Sequence, residues 1–198
     1  GVLDYNQNDQ FHQRNQRAIE SMNLHILYQD QDIIVVDKPV GMPTHAADPA
    51  DPYPADALRA VQAQAGLSYL GMHQRLDADT SGVLLFSARP EANRNLAAAF
   101  EGHAVRKVYL ALVTGRPRQP ESVIDAPIVR DRDGRYRVTT AGDPRGQPAR
   151  TRYRVVERPA RDAWTLLEVI PETGRSHQIR VHLAHIGCPV LCDRHYGG

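Results

Sequence analysis

The stretch His73-Gln74-Arg75-Leu76-Asp77-Ala78-Asp79-Thr80-Ser81-Gly82 holds two carboxylates, an arginine, two hydroxyls and a glycine. Apolar residues flank it, Leu70 and Met72 before and the run Val83–Phe86 after. A polar decapeptide between hydrophobic walls is where a fold can hold an ionised side chain in a site. A carboxylate placed so can act as a nucleophile or as a general base. If the segment is extended, Arg75, Asp77 and Asp79 point to one side, because strand side chains alternate. Gly82 frees the backbone for a turn, and Thr80 and Ser81 can bond local amides. The plainer reading, a polar turn between two strands, stands beside the catalytic one.

A second chemistry-bearing stretch lies near the end, Thr173 to Gly187. Ile179, Leu183 and Ile186 fall at i, i+4 and i+7, which predicts an amphipathic helix closed by Gly187 and Pro189. Arg180 sits at the edge of that apolar stripe. A partly buried arginine needs a partner, usually a carboxylate, unless it buries only its stem.

The elements between are legible in order. Leu24–Tyr28 and Ile33–Val36 read as strands around a Gln29–Asp32 turn, followed by Lys38-Pro39-Val40-Gly41. Residues 54–65 read as a helix with Pro54 near its start, Leu58 and Val61 on one face and Gly66 at its end. Residues 90–100 read as a second helix. Val105–Val113 alternates as a strand, with Lys107, Tyr109 and Ala111 on one face and Val108, Leu110 and Leu112 on the other. The second face is expected to be the core side. Asp131–Gly134 reads as a hairpin turn, and Ala149–Glu157 and Trp164–Ile170 as further strands. Mainly antiparallel strands flanked by helices predict an α+β fold with a mixed sheet.

A chain of 198 residues suits one domain, or one domain with a minor lobe. The expected division is a lead-in over 1–22 and a catalytic domain over 23–198. Two cysteines, Cys188 and Cys192, argue against a disulfide framework and for a reducing compartment. No apolar run approaches a membrane span, so a cytoplasmic protein with no membrane partner is expected, a monomer by default. Net charge is only +1, yet residues 1–72 carry −5 and residues 130–161 carry +6. That asymmetry suits either a solvated arginine-rich hairpin or a basic face for a polyanion.

Four segments together resemble the RluA-type pseudouridine synthases. The decapeptide is similar to that family's H-R-L-D-x-x-T-S-G signature, with Gln74 as an extra residue. Lys38-Pro39-Val40-Gly41 resembles its K-P-x-G turn. Lys107 to Gly115 fits K-x-Y-x-A-x-V-x-G without a gap. Thr173 to Asp193 resembles T-G-R-T-H-Q-I-R-x-H-L-x-x-x-G-x-P-x-x-x-D, with Ser176 in place of the threonine. The resemblance implies the pseudouridine synthase fold and isomerisation of uridine to pseudouridine in structured RNA, ribosomal or transfer, with no cofactor and no metal. It implies Asp77 as the catalytic carboxylate, Arg180 as its cationic partner, and Tyr109 as a catalytic residue that stacks on a flipped base or also takes the C5 proton. Arg75, His73, Lys107 and Arg175 are the implied RNA contacts. Family members run on through an L-H-A segment past the point where this chain stops, so the C-terminal part of the family domain is expected to be missing.

Three rival readings have a residue basis. His182, His185, Cys188 and Cys192 are zinc-competent, though their spacing fits no standard site well. Asp77 and Asp79 would lie about 6–7 Å apart if extended, near the span of a glycosidase pair. An RNA-binding protein that keeps the fold without catalysis is the third.

Overall fold

A computed structural model describes residues 23–46, 56–160 and 163–197. The expected lead-in over 1–22, and Pro54, lie outside those residues. The chain forms two compact units that divide between Ala104 and Val105.

In the first unit, β1 (His25–Gln29) and β2 (Ile33–Lys38) form the expected hairpin. Asp30 closes it, its Oδ1 accepting from the amides of Asp32 and Ile33 at 2.8 Å each. The helix α1 (Ala57–Ala65) begins later than Pro54, because Asp56 is its N-cap and accepts from the Arg59 amide. Gly66 ends it in the left-handed conformation. The short β3 (Gly71–Met72), then β4 (Gly82–Ser87) and the helix α2 (Pro90–Glu101) complete the unit. The sheet runs β1-β2-β4-β3, all antiparallel. Alternation buries Ile34 and Val36 of β2 and Leu84 and Phe86 of β4 completely, each worth about 1.5–3 kcal/mol. A side chain at Gly71 would collide with Asn93 and Ser87, so the backbone passes there only as glycine.

The second unit holds β5 (Tyr109–Thr114), β6 (Glu121–Asp125), β9 (Arg150–Glu157) and β10 (Trp164–Pro171) in the antiparallel order β5-β10-β9-β6. A separate hairpin pairs β7 (Ile128–Arg130) with β8 (Tyr136–Val138) around Gly134. The helix α3 (Gln178–His185) packs on β8, β9 and β10. Its expected stripe holds: Leu183 is buried in the main core, and Ile179 and Ile186 pack against it.

Two expectations change here. The core side of β5 is Ala111 and Val113, with Tyr109 packed against the same cluster, while Leu110 is 71% exposed. The strand buries its smaller residues because the β10 partners Leu167 and Val169 fill the space on that side. The arginines of β9 share one exposed face, as alternation requires, but carboxylates from β6, β10 and the residue that follows β10 meet them. Arg150 contacts Asp125 at 2.6 Å and Glu172 at 2.7 Å, Arg152 contacts Glu172, and Arg154 forms two bonds to Glu168. At this exposure each pair contributes about 0.2–1 kcal/mol.

Candidate active site

The loop that carries Asp77 is fixed from beneath by its backbone. Lys38, the last residue of β2, is completely buried. Its ammonium donates to the carbonyls of Met42 at 2.6 Å, Pro39 at 2.8 Å and Ala78 at 3.2 Å. A lysine ammonium has three protons, so each has an acceptor. Burial pushes the Lys38 pKa down, and the charges of Asp77 and Asp79 pull it back up. The Gly41 amide, at a φ of 82° that suits glycine, also reaches the Ala78 carbonyl, at 2.8 Å. Thr44 Oγ1 donates to the Leu76 carbonyl and accepts from the Leu76 amide, at 2.8 and 2.9 Å. Both peptide neighbours of Asp77 are therefore held by groups from the Lys38–Thr44 segment.

Asp77 itself is half-buried, and the Thr80 amide donates to its carbonyl at 3.0 Å. That bond makes residues 77–80 a turn, not an extended run. The alternation that would set Asp77 and Asp79 on one side at glycosidase spacing is absent; Asp79 is exposed. Arg75 is also exposed. His73 is half-buried: Nε2 meets Ser87 Oγ at 3.2 Å, and the ring stacks on Phe100 at 5.9 Å. The Ser87 hydroxyl donates onward to Asn93, so His73 Nε2 carries the proton that Ser87 accepts. Burial lowers the His73 pKa, opposed by its bonding with Asn93.

Replacing Lys38 by Met should cost about 3–5 kcal/mol of unfolding free energy, since three buried carbonyls lose their donor. Urea denaturation of the whole chain measures it. A loss below about 0.5 kcal/mol, within the range of ordinary surface changes, would show that the loop does not depend on the ammonium.

In the second unit Arg180 finds the carboxylate its partial burial demands. Its Nε and Nη2 donate to the two oxygens of Asp193 at 2.7 and 2.9 Å, a two-pronged pair with side chains 18% and 4% exposed. Burial works against the Asp193 charge. The Arg180 bonds and the amides of His195 and Tyr196 outweigh it and hold the carboxyl below its usual range. The guanidinium also lies over the Tyr196 ring, 5.0 Å from its centroid. Tyr196 in turn bonds His177 Nδ1 at 2.7 Å, and Tyr136 meets the His177 ring edge-on at 5.2 Å. His177 caps α3 with a φ of 55°, a left-handed conformation uncommon outside glycine.

Tyr109 opens β5 opposite Val169. Lys107 is half-buried, which lowers its pKa, and Gly174 lies beside its ammonium. Arg175 is exposed; its amide donates to Gln178 and its Nε to the Pro148 carbonyl. Each unit thus gathers its own share: His73, Arg75 and Asp77 in the first, and Lys107, Tyr109, Arg175 and Arg180 in the second. Sequence reasoning passed over Lys38, Thr44, His177 and Tyr196 as functional residues. Tyr196 had a signal, an aromatic three residues after an acid. The left-handed His177 had none.

A profile of the RNA pseudouridylate synthase family matches residues 32–185. The chain belongs to the RNA pseudouridylate synthase family. It is 40% identical over 200 residues to the ribosomal large subunit pseudouridine synthase D of Nitrosomonas europaea, covering 99% of this chain and 55% of that protein. It is 36% identical to the ribosomal large subunit pseudouridine synthase C of Vibrio parahaemolyticus, over 87% of this chain and 52% of that one. The chain thus spans about half the length of these relatives. Among solved structures, the human RNA pseudouridylate synthase domain containing 4 superposes with a TM-score of 0.74 at 28% identity, covering 94% of this chain and 74% of that one. The α+β expectation agrees with that likeness.

In this pseudouridylate synthase family member, no group of three or more His, Cys, Asp or Glu side chains is placed to hold a metal ion among the described residues. His182 is instead bonded through both ring nitrogens, and Cys188 is buried in the core. No helix among the described residues is long and apolar enough to cross a membrane.

Proposed function

We propose that this chain isomerises specific uridines of ribosomal RNA to pseudouridine, with Asp77 as the nucleophile. The observation that carries this reading is the anchored loop, which holds the peptide on each side of Asp77 with bonds from Lys38, Gly41 and Thr44. Preorganised placement of that kind is what a reacting carboxylate requires. The reaction breaks the N1–C1′ bond, turns the uracil and joins C5 to C1′. The C5 proton leaves and N1 gains one, so no atoms are added overall. A carboxylate splits this into two steps by bonding first to C1′ or to C6.

In this reading Arg180 supplies the positive charge that keeps the nucleophile ionised, and Tyr109 stacks on the extruded base. Extrusion costs a few kcal/mol of unstacking, roughly. Arg75 fills the space the base leaves, while Lys107, Arg175 and His73 contact the RNA around it. Ribosomal RNA is favoured over transfer RNA because the similar proteins named above are ribosomal large subunit enzymes.

The test is pseudouridine mapping of total RNA from cells with and without the gene. One or a few ribosomal sites that disappear and return on complementation establish the activity and name the substrate. Sites lost from transfer RNA would move the reading to that class. No changed site, together with retained RNA binding, would replace it with a silent RNA-binding protein.

A further inference from the structure

The helix α3 has apolar contacts on opposite sides. Leu183 belongs to the core cluster of Ala111, Leu167 and Val169, whereas Val181 belongs to that of Ile128 and Ala149. Two residues along a helix are about 200° apart, so hydrophobic burial alone leaves the rotation of α3 poorly specified. A buried polar network supplies what burial does not. Gln178 and His182 stand one turn apart, at 4% and 0% exposure, and both bond the hydroxyl of Thr151 on β9, itself at 0%.

The network has a single direction. His182 Nε2 lies 2.9 Å from the Ala126 carbonyl, which only accepts, so Nε2 carries the proton. His182 Nδ1 then accepts from the Thr151 hydroxyl at 2.8 Å. Thr151 Oγ1 accepts from Gln178 Nε2 at 2.9 Å, and the other amide proton goes to the Arg150 carbonyl, also at 2.9 Å. Gln178 Oε1 accepts from the Thr173 hydroxyl at 2.6 Å and from the Arg175 amide at 3.0 Å. Burial lowers the His182 pKa and so favours the neutral ring that this assignment needs, with the bond to Ala126 opposing, His185 adding to the shift and Asp125 opposing it.

We propose that Thr151 is a positioning residue: its hydroxyl, bonded to Gln178 and His182, fixes the rotation of α3 so that the Arg180 fork stays on Asp193. The proposal rests on the pseudouridine synthase reading for its catalytic consequence, and on geometry alone for the placement of Arg180.

The experiment compares Thr151→Val with Thr151→Ser in the full chain. One readout is single-turnover tritium release from ribosomal RNA labelled at uridine C5, prepared from cells lacking the gene, with RNA affinity measured alongside. The other is hydrogen exchange of the Arg180 Nε–H, assigned by its absence in Arg180→Lys. Thr151→Val is expected to slow release about tenfold or more with affinity within about twofold, and to speed the exchange about tenfold. Thr151→Ser, which keeps the hydroxyl, is expected to stay within about threefold of the natural protein in both. A packing role predicts the reverse order, because Ser loses a methyl from a filled site. Natural rate and exchange in Thr151→Val, or Thr151→Ser slower than Thr151→Val, overturns the proposal. If Thr151→Val does not fold, Gln178→Met carries the same expectation and decides it. If the natural protein releases no tritium, the functional reading fails, and the exchange arm alone decides the positioning role.

Discussion

Asp77→Ala is expected to restore none of the pseudouridines lost with the gene, and to lower tritium release from C5-labelled RNA by at least about 10³-fold, the scale of removing a nucleophile. Asp79, its neighbour in sequence, does not take over. Asp79 sits within the turn closed by the Thr80 amide and is exposed. The variant should fold, because Lys38 and Thr44 hold the loop through the backbone of Ala78 and Leu76, which the substitution leaves in place. Loss of its charge removes one of the two carboxylates that favour the Lys38 ammonium, leaving Asp79. A folded Asp77→Ala protein that keeps a tenth of the natural rate would sink the nucleophile assignment.

Asp193→Asn is expected to cost about 3 kcal/mol of stability, because it removes the negative charge that a mostly buried guanidinium grips with two bonds. Activity should fall with it, since the fork of Arg180 loses its two-pronged anchor. The pH dependence separates this from a packing defect. The Asp193 carboxyl is held below its usual value in the fold, so its contribution is complete above the unfolded pKa of about 3.9 and is lost as pH falls through the folded one. The gap between natural protein and variant in urea unfolding should be full at pH 7 and close on strong acidification. A gap that does not change with pH would assign the loss to shape and not to charge.

Much of this was readable beforehand, and the exceptions share a cause. The β1–β2 turn, the glycine that ends α1 and the Gly134 hairpin follow from local spacing, and the structure has each of them. The need of Arg180 for a carboxylate was legible from its place at the edge of an apolar stripe. That Asp193 meets it depends on the chain returning after α3, which no local pattern encodes. The inward face of β5 was misread because Leu110 and Leu112 outweigh Ala111 and Val113 in bulk. What decides the face is the partner strand, and periodicity carries no information about partners. Lys38 was opaque for a related reason: a lysine can be buried only where carbonyls converge, and its acceptors come from as far away as Ala78.

The carboxylates opposite the β9 arginines bear on how the protein would hold a polyanion. In the linear sequence, residues 130–161 look like a strong cation. In the fold, Asp125, Glu168 and Glu172 return to that face from outside the segment and neutralise much of it. An arginine that keeps its carboxylate brings no net charge to a phosphate and so displaces no condensed counterion. RNA association by this surface would then weaken only gently with added salt, and discrimination would rest on shape and hydrogen bonding more than on bulk attraction.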